Sequence, residues 1–345
     1  MVSTTFNYII PKFSCMTLTY NDYRLQLRET FKIAYGNYDY RDSLTVALSA
    51  NGETGFGECV AINYYNIDLR KFKHDLESVK DRLHSLSIIH PLEFYSFLLT
   101  LELHPFLRSA LDCAYWDLFG KLENRTFAEV VDLHQDNLPE SSFTINVAGF
   151  DEQIEKIKAS KWTRFKVKCN GLDRGNVFKL LDSGKEVALD SNTSFTEEDC
   201  IFLESQTLTQ GFSYLEQPLP AGQFSLLTKN KNAHWMCDED CQSVEDLQSL
   251  SSHYRSVNIK VMKLGGITPA LEMISAAHSF GFKVMIGCMT ESTVGISAGM
   301  ALAGLCDYAD LDGANLISND FAEGSKVVEG KLLLSEAPGL GIRLI

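Results

Sequence analysis

The sequence predicts an α/β protein: a (β/α) barrel preceded by a smaller α+β unit. Two observations carry this. After Pro139 the chain settles into a strand-then-helix rhythm, and eight candidate strands follow, at 143–148, 163–168, 186–190, 213–216, 234–238, 257–260, 283–287 and 308–312. That many regular units suggest a closed barrel rather than an open sheet. Second, the residues before Pro139 pattern differently, as short alternating strands followed by helical periodicity. At 345 residues and 38.6 kDa the chain has room for both parts.

The first unit begins with partial alternation over 16–27, a strand over 43–49, and an Asn51-Gly52 turn leading into 55–60. Between them, 31–41 is rich in Tyr, Gly and Asn and is expected to be a loop. Helices are expected over 66–84, 91–101 and 105–122, the last presenting Leu107, Leu111, Ala114, Tyr115, Leu118 and Phe119 on one buried face. In the barrel, helical stretches are expected at 196–205, 243–251 and 268–280, and the tail from Val327 reads as a strand, a turn and an extended end. The expected division is 1–125, 126–325 and 326–345.

Composition narrows the function. A net charge of −14 with no compensating Lys/Arg run argues against a nucleic-acid partner. No apolar stretch is long enough for a membrane helix, and the first residues lack the pattern of a signal peptide. Nine dispersed cysteines without a CxxC pair fit free thiols in a reducing compartment, so a cytoplasmic enzyme is expected. Cys237 and Cys241 are the only close pair, and zinc there would need a partner such as His234.

The chemistry-bearing residues fall at strand ends, where a barrel builds its active site. In Arg164-Phe165-Lys166-Val167-Lys168, alternation puts Lys166 and Lys168 on one face and Phe165 and Val167 on the other. Two facing lysines are expected to lower each other's pKa; a solvated face on an edge strand is the alternative. The next three strands each end in a carboxylate, Asp190, Glu216 and Asp238. Each alone reads more readily as a helix N-cap. Together they would repel unless a cation sits between them, and a hard divalent ion, Mg²⁺ first, suits oxygen ligands. The sixth strand ends in Lys260, and the eighth carries Asp310-Leu311-Asp312.

In these motifs the chain resembles the enolase superfamily, in its muconate lactonizing subgroup. The resemblance rests on Lys166-x-Lys168, Asp190-Ser191-Asn192, Glu216-Gln217-Pro218, Asp238-Glu239-Asp240, Asn258-Ile259-Lys260 before Lys263-Leu264-Gly265-Gly266, and the helix around Ala114–Leu118. Asp240 stands where Ser is common, and Cys169 where Val or Ile is usual. The resemblance implies a capping α+β domain on a modified (β/α)₇β TIM-type barrel, with the C-terminal segment returning to the cap. It also implies one Mg²⁺ on Asp190, Glu216 and Asp238, Lys168 and Lys260 as bases on opposite faces of a substrate α-carbon, and Lys166 as an electrostatic partner. Asp310 and Asp312 resemble the Asp-x-Asp with which dipeptide epimerases bind a substrate ammonium; 285–292 resembles their seventh-strand segment, which assigns Cys288, Met289 and Thr290 to substrate binding. The implied reaction is a two-lysine 1,1-proton transfer through an enediolate, inverting the C-terminal residue of a dipeptide. In relatives that act on Ala-Glu, the first cap loop supplies a basic group. Here that position falls at Gly36, and Tyr35, Tyr38 and Tyr40 favour a hydrophobic dipeptide instead, with Lys32 or Arg41 as the cations nearest in sequence. The alternatives are a muconate cycloisomerase or o-succinylbenzoate synthase, or a non-catalytic protein on the same fold. A homo-oligomer is compatible with the sequence.

Overall fold

The computed structural model describes residues 15–345. It opens on a three-stranded antiparallel sheet, β1 (Thr17–Ile33), β2 (Gly36–Ala50) and β3 (Glu53–Val60), in that order. The stretch 31–41, expected to be a loop, is instead the end of a hairpin. Phe31 pairs with Tyr38 and Ile33 with Gly36, after a register shift between Gln26 and Phe31. Its Gly and Asn residues suggested a loop, but its aromatic residues suit a pleated surface and pair across it. The Asn51-Gly52 turn is where the sequence put it, with φ of 51° and 86° between the paired Ala50 and Glu53.

Three helices follow, α1 (Leu69–His84), α2 (Pro91–Leu99) and α3 (Pro105–Glu123). Asp68 caps α1 through the Arg70 N–H, and proline at the first position of α2 and α3 fits helix starts that need no N–H there. α3 is buried along most of its length and lies against β3. Gly55 and Gly57 allow that approach: a Cβ at Gly57 would stand 2.0 Å from the Ala110 carbonyl oxygen, and one at Gly55 2.2 Å from that of Ala114. A short α4 (Phe127–Val131), held by a Thr126/Glu129 capping box, leads to the barrel.

The barrel strands are β4 (Phe143–Ile145), β5 (Arg164–Lys168), β6 (Glu186–Asp190), β7 (Leu215–Glu216), β8 (Trp235–Cys237), β9 (Ser256–Lys260), β10 (Lys283–Gly287) and β11 (Tyr308–Asp310). They form one parallel sheet in sequence order. A parallel bridge from Ser141 to Ala309, with the Ser142 N–H 3.0 Å from the Ala309 carbonyl, brings the first strand against the last and nearly closes the ring. The helices outside it are α5 (Phe150–Ala159), α6 (Glu197–Ser205), α7 (Leu247–Leu250), α8 (Val261–Leu264), α9 (Ile267–Ser279) and α10 (Thr293–Ala301), and a 3₁₀ turn at Val177–Ser183 takes the place of a helix between β5 and β6. β4, β8 and β11 stop earlier than the sequence suggested, whereas β6 and β7 end where it put them and turn sharply there. Asn192, Thr193 and Gln217, just past β6 and β7, sit at φ of 43°, 71° and 35°. The Gln217 side chain spans that corner, accepting from the Asp238 and Asp240 N–H groups at 3.0 and 3.1 Å.

Ala188, Tyr214, Met236 and Met285 fill the barrel interior, while Phe165, Val167, Leu189, Leu215 and Ile259 face outward into the main core under the helices. The tail forms two small ladders, β12 (Ala322–Glu323) with β15 (Arg343–Leu344) and β13 (Lys326–Val328) with β14 (Lys331–Leu333). It crosses α3: the Leu340 N–H donates to Asp117 Oδ1 at 2.8 Å, and Lys121 Nζ donates to the Ile342 carbonyl at 2.8 Å. Among the described residues no helix is long and apolar enough to cross a membrane.

Candidate active site

Strand register brings the functional side chains to one end of the barrel. Lys168 is level with Asp190 and Asp190 with Glu216; across the ring, Gly287 is level with both Lys260 and Asp310. Lys166, Lys168 and Lys260 are all buried and line one pocket with Tyr35, Cys288, Met289, Thr290, Asp310 and Asp312. Asp190, Glu216 and Asp238 lie beneath them, each 1% exposed.

The charges are paired densely. Lys166 Nζ bonds the Asp310 carboxylate and stands 3.5 Å from Glu216 Oε2 and 3.6 Å from Asp190 Oδ2. Lys168 Nζ reaches Asp190 Oδ2 at 2.5 Å. Lys260 and Lys263 grip the two oxygens of Asp238 at 2.6 and 2.7 Å. The expected lowering of facing lysines is outweighed at Lys166. Burial alone would lower the Lys166 and Lys260 ammonium groups, but the carboxylates around them outweigh it and hold both well above the usual lysine range. Burial would likewise raise Asp238, yet Lys260 and Lys263 hold it below the ordinary carboxylate range.

At other carboxylates burial and like charge outweigh the nearby lysines. Burial, and then Asp190, push Glu216 up to about 7; burial, Asp238 and Asp190 push Glu239 up to about 8. Asp312 is raised to about 7 by burial and by Asp310, although it accepts from the Thr144 N–H at 2.6 Å. Glu216 Oε2, Glu239 Oε2 and Asp310 Oδ1 are buried without a hydrogen-bond donor.

These facts bear on the expected metal. Among the described residues no three His, Cys, Asp or Glu side chains stand as a ready-made ion cage, because lysine ammonium groups engage the oxygens of Asp190 and Asp238. The donor set nevertheless fits a divalent cation. Asp190, Glu216, Asp238, Glu239, Asp310 and Asp312 are six buried carboxylates against four buried ammonium groups, those of Lys166, Lys168, Lys260 and Lys263. Four ammonium groups do not balance six carboxylates, and Glu216, Glu239 and Asp312 are raised accordingly; a further cation would restore the balance, and the donor-less Glu216 oxygen and the oxygen-only ligands match Mg²⁺.

The hairpin tip closes over this end. The Val147 N–H donates to the Lys32 carbonyl at 3.0 Å, which ties β1 to the loop after β4. Tyr35 at the turn packs on Tyr64, ring centroids 5.4 Å apart. Lys32 is exposed and outside the pocket lining, whereas Arg41 lies within it, its NH1 donating to the Ala61 carbonyl at 2.8 Å and its guanidinium 4.6 Å from the Tyr38 ring centroid.

Sequence reasoning gave no role to Lys263, Glu239, Asn192 or Thr144. Lys263 had a signal, since it lies three residues after Lys260, on the short α8 that directly follows β9. Glu239 and Asn192, bonded to each other at 3.5 Å, adjoin expected ligands. Thr144 had none, since its role depends on the first strand meeting the last.

Residues 149–345 match the family described as Enolase C-terminal domain-like. The chain is 34% identical over 335 residues to the L-Ala-D/L-amino acid epimerase of Maribacter sp., covering 95% of this chain and 99% of that one. Among solved structures, it is similar to an enolase family member from Agrobacterium tumefaciens with homology to dipeptide epimerases, bound to sodium and L-Ala-L-Glu; identity is 27%, coverage 93% and 98%, and the TM-score 0.83. A dipeptide epimerase from Methylococcus capsulatus, complexed with Mg and L-Arg-D-Lys, is 25% identical with a TM-score of 0.84, covering 95% of this chain and 99% of that one. The chain belongs to the enolase superfamily, alongside its dipeptide epimerases.

Proposed function

We propose that this protein is a Mg²⁺-dependent dipeptide epimerase that inverts the α-carbon of the C-terminal residue. The observation that carries the reading is the placement of Lys168 and Lys260 on β5 and β9, four strands apart in an eight-strand ring, with both side chains in one pocket. Two bases approaching from opposite sides suit removal of a proton from one face of a carbon and its return to the other.

Asp190, Glu216 and Asp238 would hold the metal, which when bound supplies positive charge to the substrate carboxylate as its α-proton leaves. Lys168 Nζ and Lys260 Nζ, which bond Asp190 and Asp238, would take up or give back the proton. Lys166, bonded to Asp310 and near Glu216, keeps a fixed positive charge beside the reacting carboxylate. Asp310 and Asp312 would receive the N-terminal ammonium; two buried carboxylates suit a cation and disfavour the diacid of a cycloisomerase.

Phe31, Ile33, Tyr35, Tyr38, Met289 and Leu316 line the pocket, which supports a preference for hydrophobic side chains. Arg41 is the cation on that wall, and it is engaged with Ala61 and Tyr38. In this reading the chain divides near residues 125 and 325 into cap, barrel and returning segment. The test is a panel of L,L-dipeptides with Mg²⁺, followed by chiral separation. L-Ala-L-Phe and L-Ala-L-Leu should show a higher kcat/KM than L-Ala-L-Glu. The reverse order would overturn the preference, and no D-epimer from any dipeptide would overturn the activity.

A further inference from the structure

Glu58 is a carboxylate that the proposed reaction does not use. It is 3% exposed on β3, in the antiparallel layer, yet most of its hydrogen bonds go to the barrel. One oxygen accepts from Ser43 Oγ at 2.5 Å. The other accepts from the Ser292 N–H at 3.0 Å, Ser292 Oγ at 2.7 Å and the Gly295 N–H at 3.1 Å. These barrel donors form the first turn of α10, so a carboxylate from a different layer satisfies N–H groups that a helix start leaves open, where negative charge is favoured.

The segment held this way runs directly into the pocket. Ser292 follows Cys288, Met289 and Thr290, all of which line it. Within the segment, Glu291 turns back to accept from the Met289 N–H at 2.6 Å, and a Cβ on Gly295 would stand 2.0 Å from Glu291 Oε2. Asp320 accepts from Thr293 Oγ1 at 2.7 Å and from its N–H at 3.1 Å. The substrate-facing wall is thus strapped between carboxylates, and Glu58, which is buried, is the one that ties it to the cap layer.

We propose that Glu58 is a positioning residue, which sets Cys288–Thr290 for substrate binding by anchoring the start of α10 to β3. It touches no reacting group, and its effect should fall on KM rather than on kcat. The kinetic part rests on the proposed dipeptide activity. A Gln at this position can keep the geometry, with its carbonyl oxygen toward α10 and its amide donating to Ser43 Oγ, whereas Ala cannot.

The experiment compares Glu58→Ala, Glu58→Gln and Ser43→Ala in the Mg²⁺-loaded enzyme, reading KM and kcat on L-Ala-L-Phe. It also reads the rate at which iodoacetamide labels Cys288, relative to Cys306. Both thiols are partly exposed, and Cys306 precedes β11 at the opposite end of the barrel. Glu58→Ala should raise KM about tenfold or more, the scale of a lost charged hydrogen bond, with kcat nearly unchanged and Cys288 labelled faster relative to Cys306. Glu58→Gln should restore most of both, and Ser43→Ala should move both the same way by less. An unchanged KM and labelling ratio in Glu58→Ala would overturn the proposal. Equal acceleration at both thiols, with kcat falling too, would reduce Glu58 to a general stabiliser and overturn it as well. Should Glu58→Ala not fold, the labelling ratio of Ser43→Ala decides in the same two directions. If the wild type turns over no dipeptide, the functional reading fails, while the labelling ratio still tests Glu58.

Discussion

Lys168 and Lys260 make the proposed chemistry separable one residue at a time. Replacing either with Ala should stop epimerisation, at a cost of several kcal/mol or about 10³-fold and more. The base that remains can still exchange the α-proton of one configuration with solvent. Deuterium uptake in Lys168→Ala should therefore come from one epimer and in Lys260→Ala from the other; loss of exchange with both epimers in both variants would argue against two faces. Asp312 gives a second test. It is held by Thr144 and raised by burial and by Asp310, so a bound ammonium would relieve an electrostatic cost already present. Asp312→Asn should raise KM for dipeptides by roughly 10- to 100-fold, the scale of a truncated buried charge pair, and N-acetylated dipeptides should be poor substrates of the wild type. Equal turnover of acetylated and free dipeptides would leave the Asp-x-Asp a structural role only.

At the scale of elements, the contact between β3 and α3 is the tightest joint in the cap. The Ala110 carbonyl occupies the space of a Gly57 side chain, so Gly57→Ala must push helix from strand. A cost of about 1–3 kcal/mol is expected for such overpacking, read as a lower Tm, and a Tm equal to wild type would mean that the joint yields freely. The elements also show what a sequence can and cannot convey. The barrel strands were legible as short apolar runs, six of the eight expected stretches ending in a charged residue. The 31–41 hairpin was not, since its Tyr, Asn and Gly content imitates a loop and only pairing such as Phe31 with Tyr38 makes it a strand. The residues at strand ends were legible as site candidates, but their partners were not. Lys166 meets Asp310 and Glu58 meets Ser292 only after the chain closes on itself, and no local pattern encodes that closure.

For the whole molecule, metal and fold should be coupled. Six buried carboxylates against four ammonium groups leave carboxylates at the barrel mouth that a further cation would keep ionised, and an ion bound only by the folded state stabilises it by mass action. Mg²⁺ at about 100 times its Kd should add roughly 2.7 kcal/mol, seen as a higher Tm that a chelator reverses. Glu216→Gln, which removes one of the proposed ligands, should weaken that shift. A Tm indifferent to Mg²⁺ and chelator would count against the site. The most direct test of the central claim follows L-Ala-L-Phe by proton NMR in D₂O with the Mg²⁺-loaded enzyme. The α-proton signal of Phe should disappear while the Ala α-proton persists, and L-Ala-D-Phe should grow in carrying deuterium at that carbon. Retention of the Phe α-proton with no D-epimer, under conditions where Mg²⁺ is bound, would contradict it.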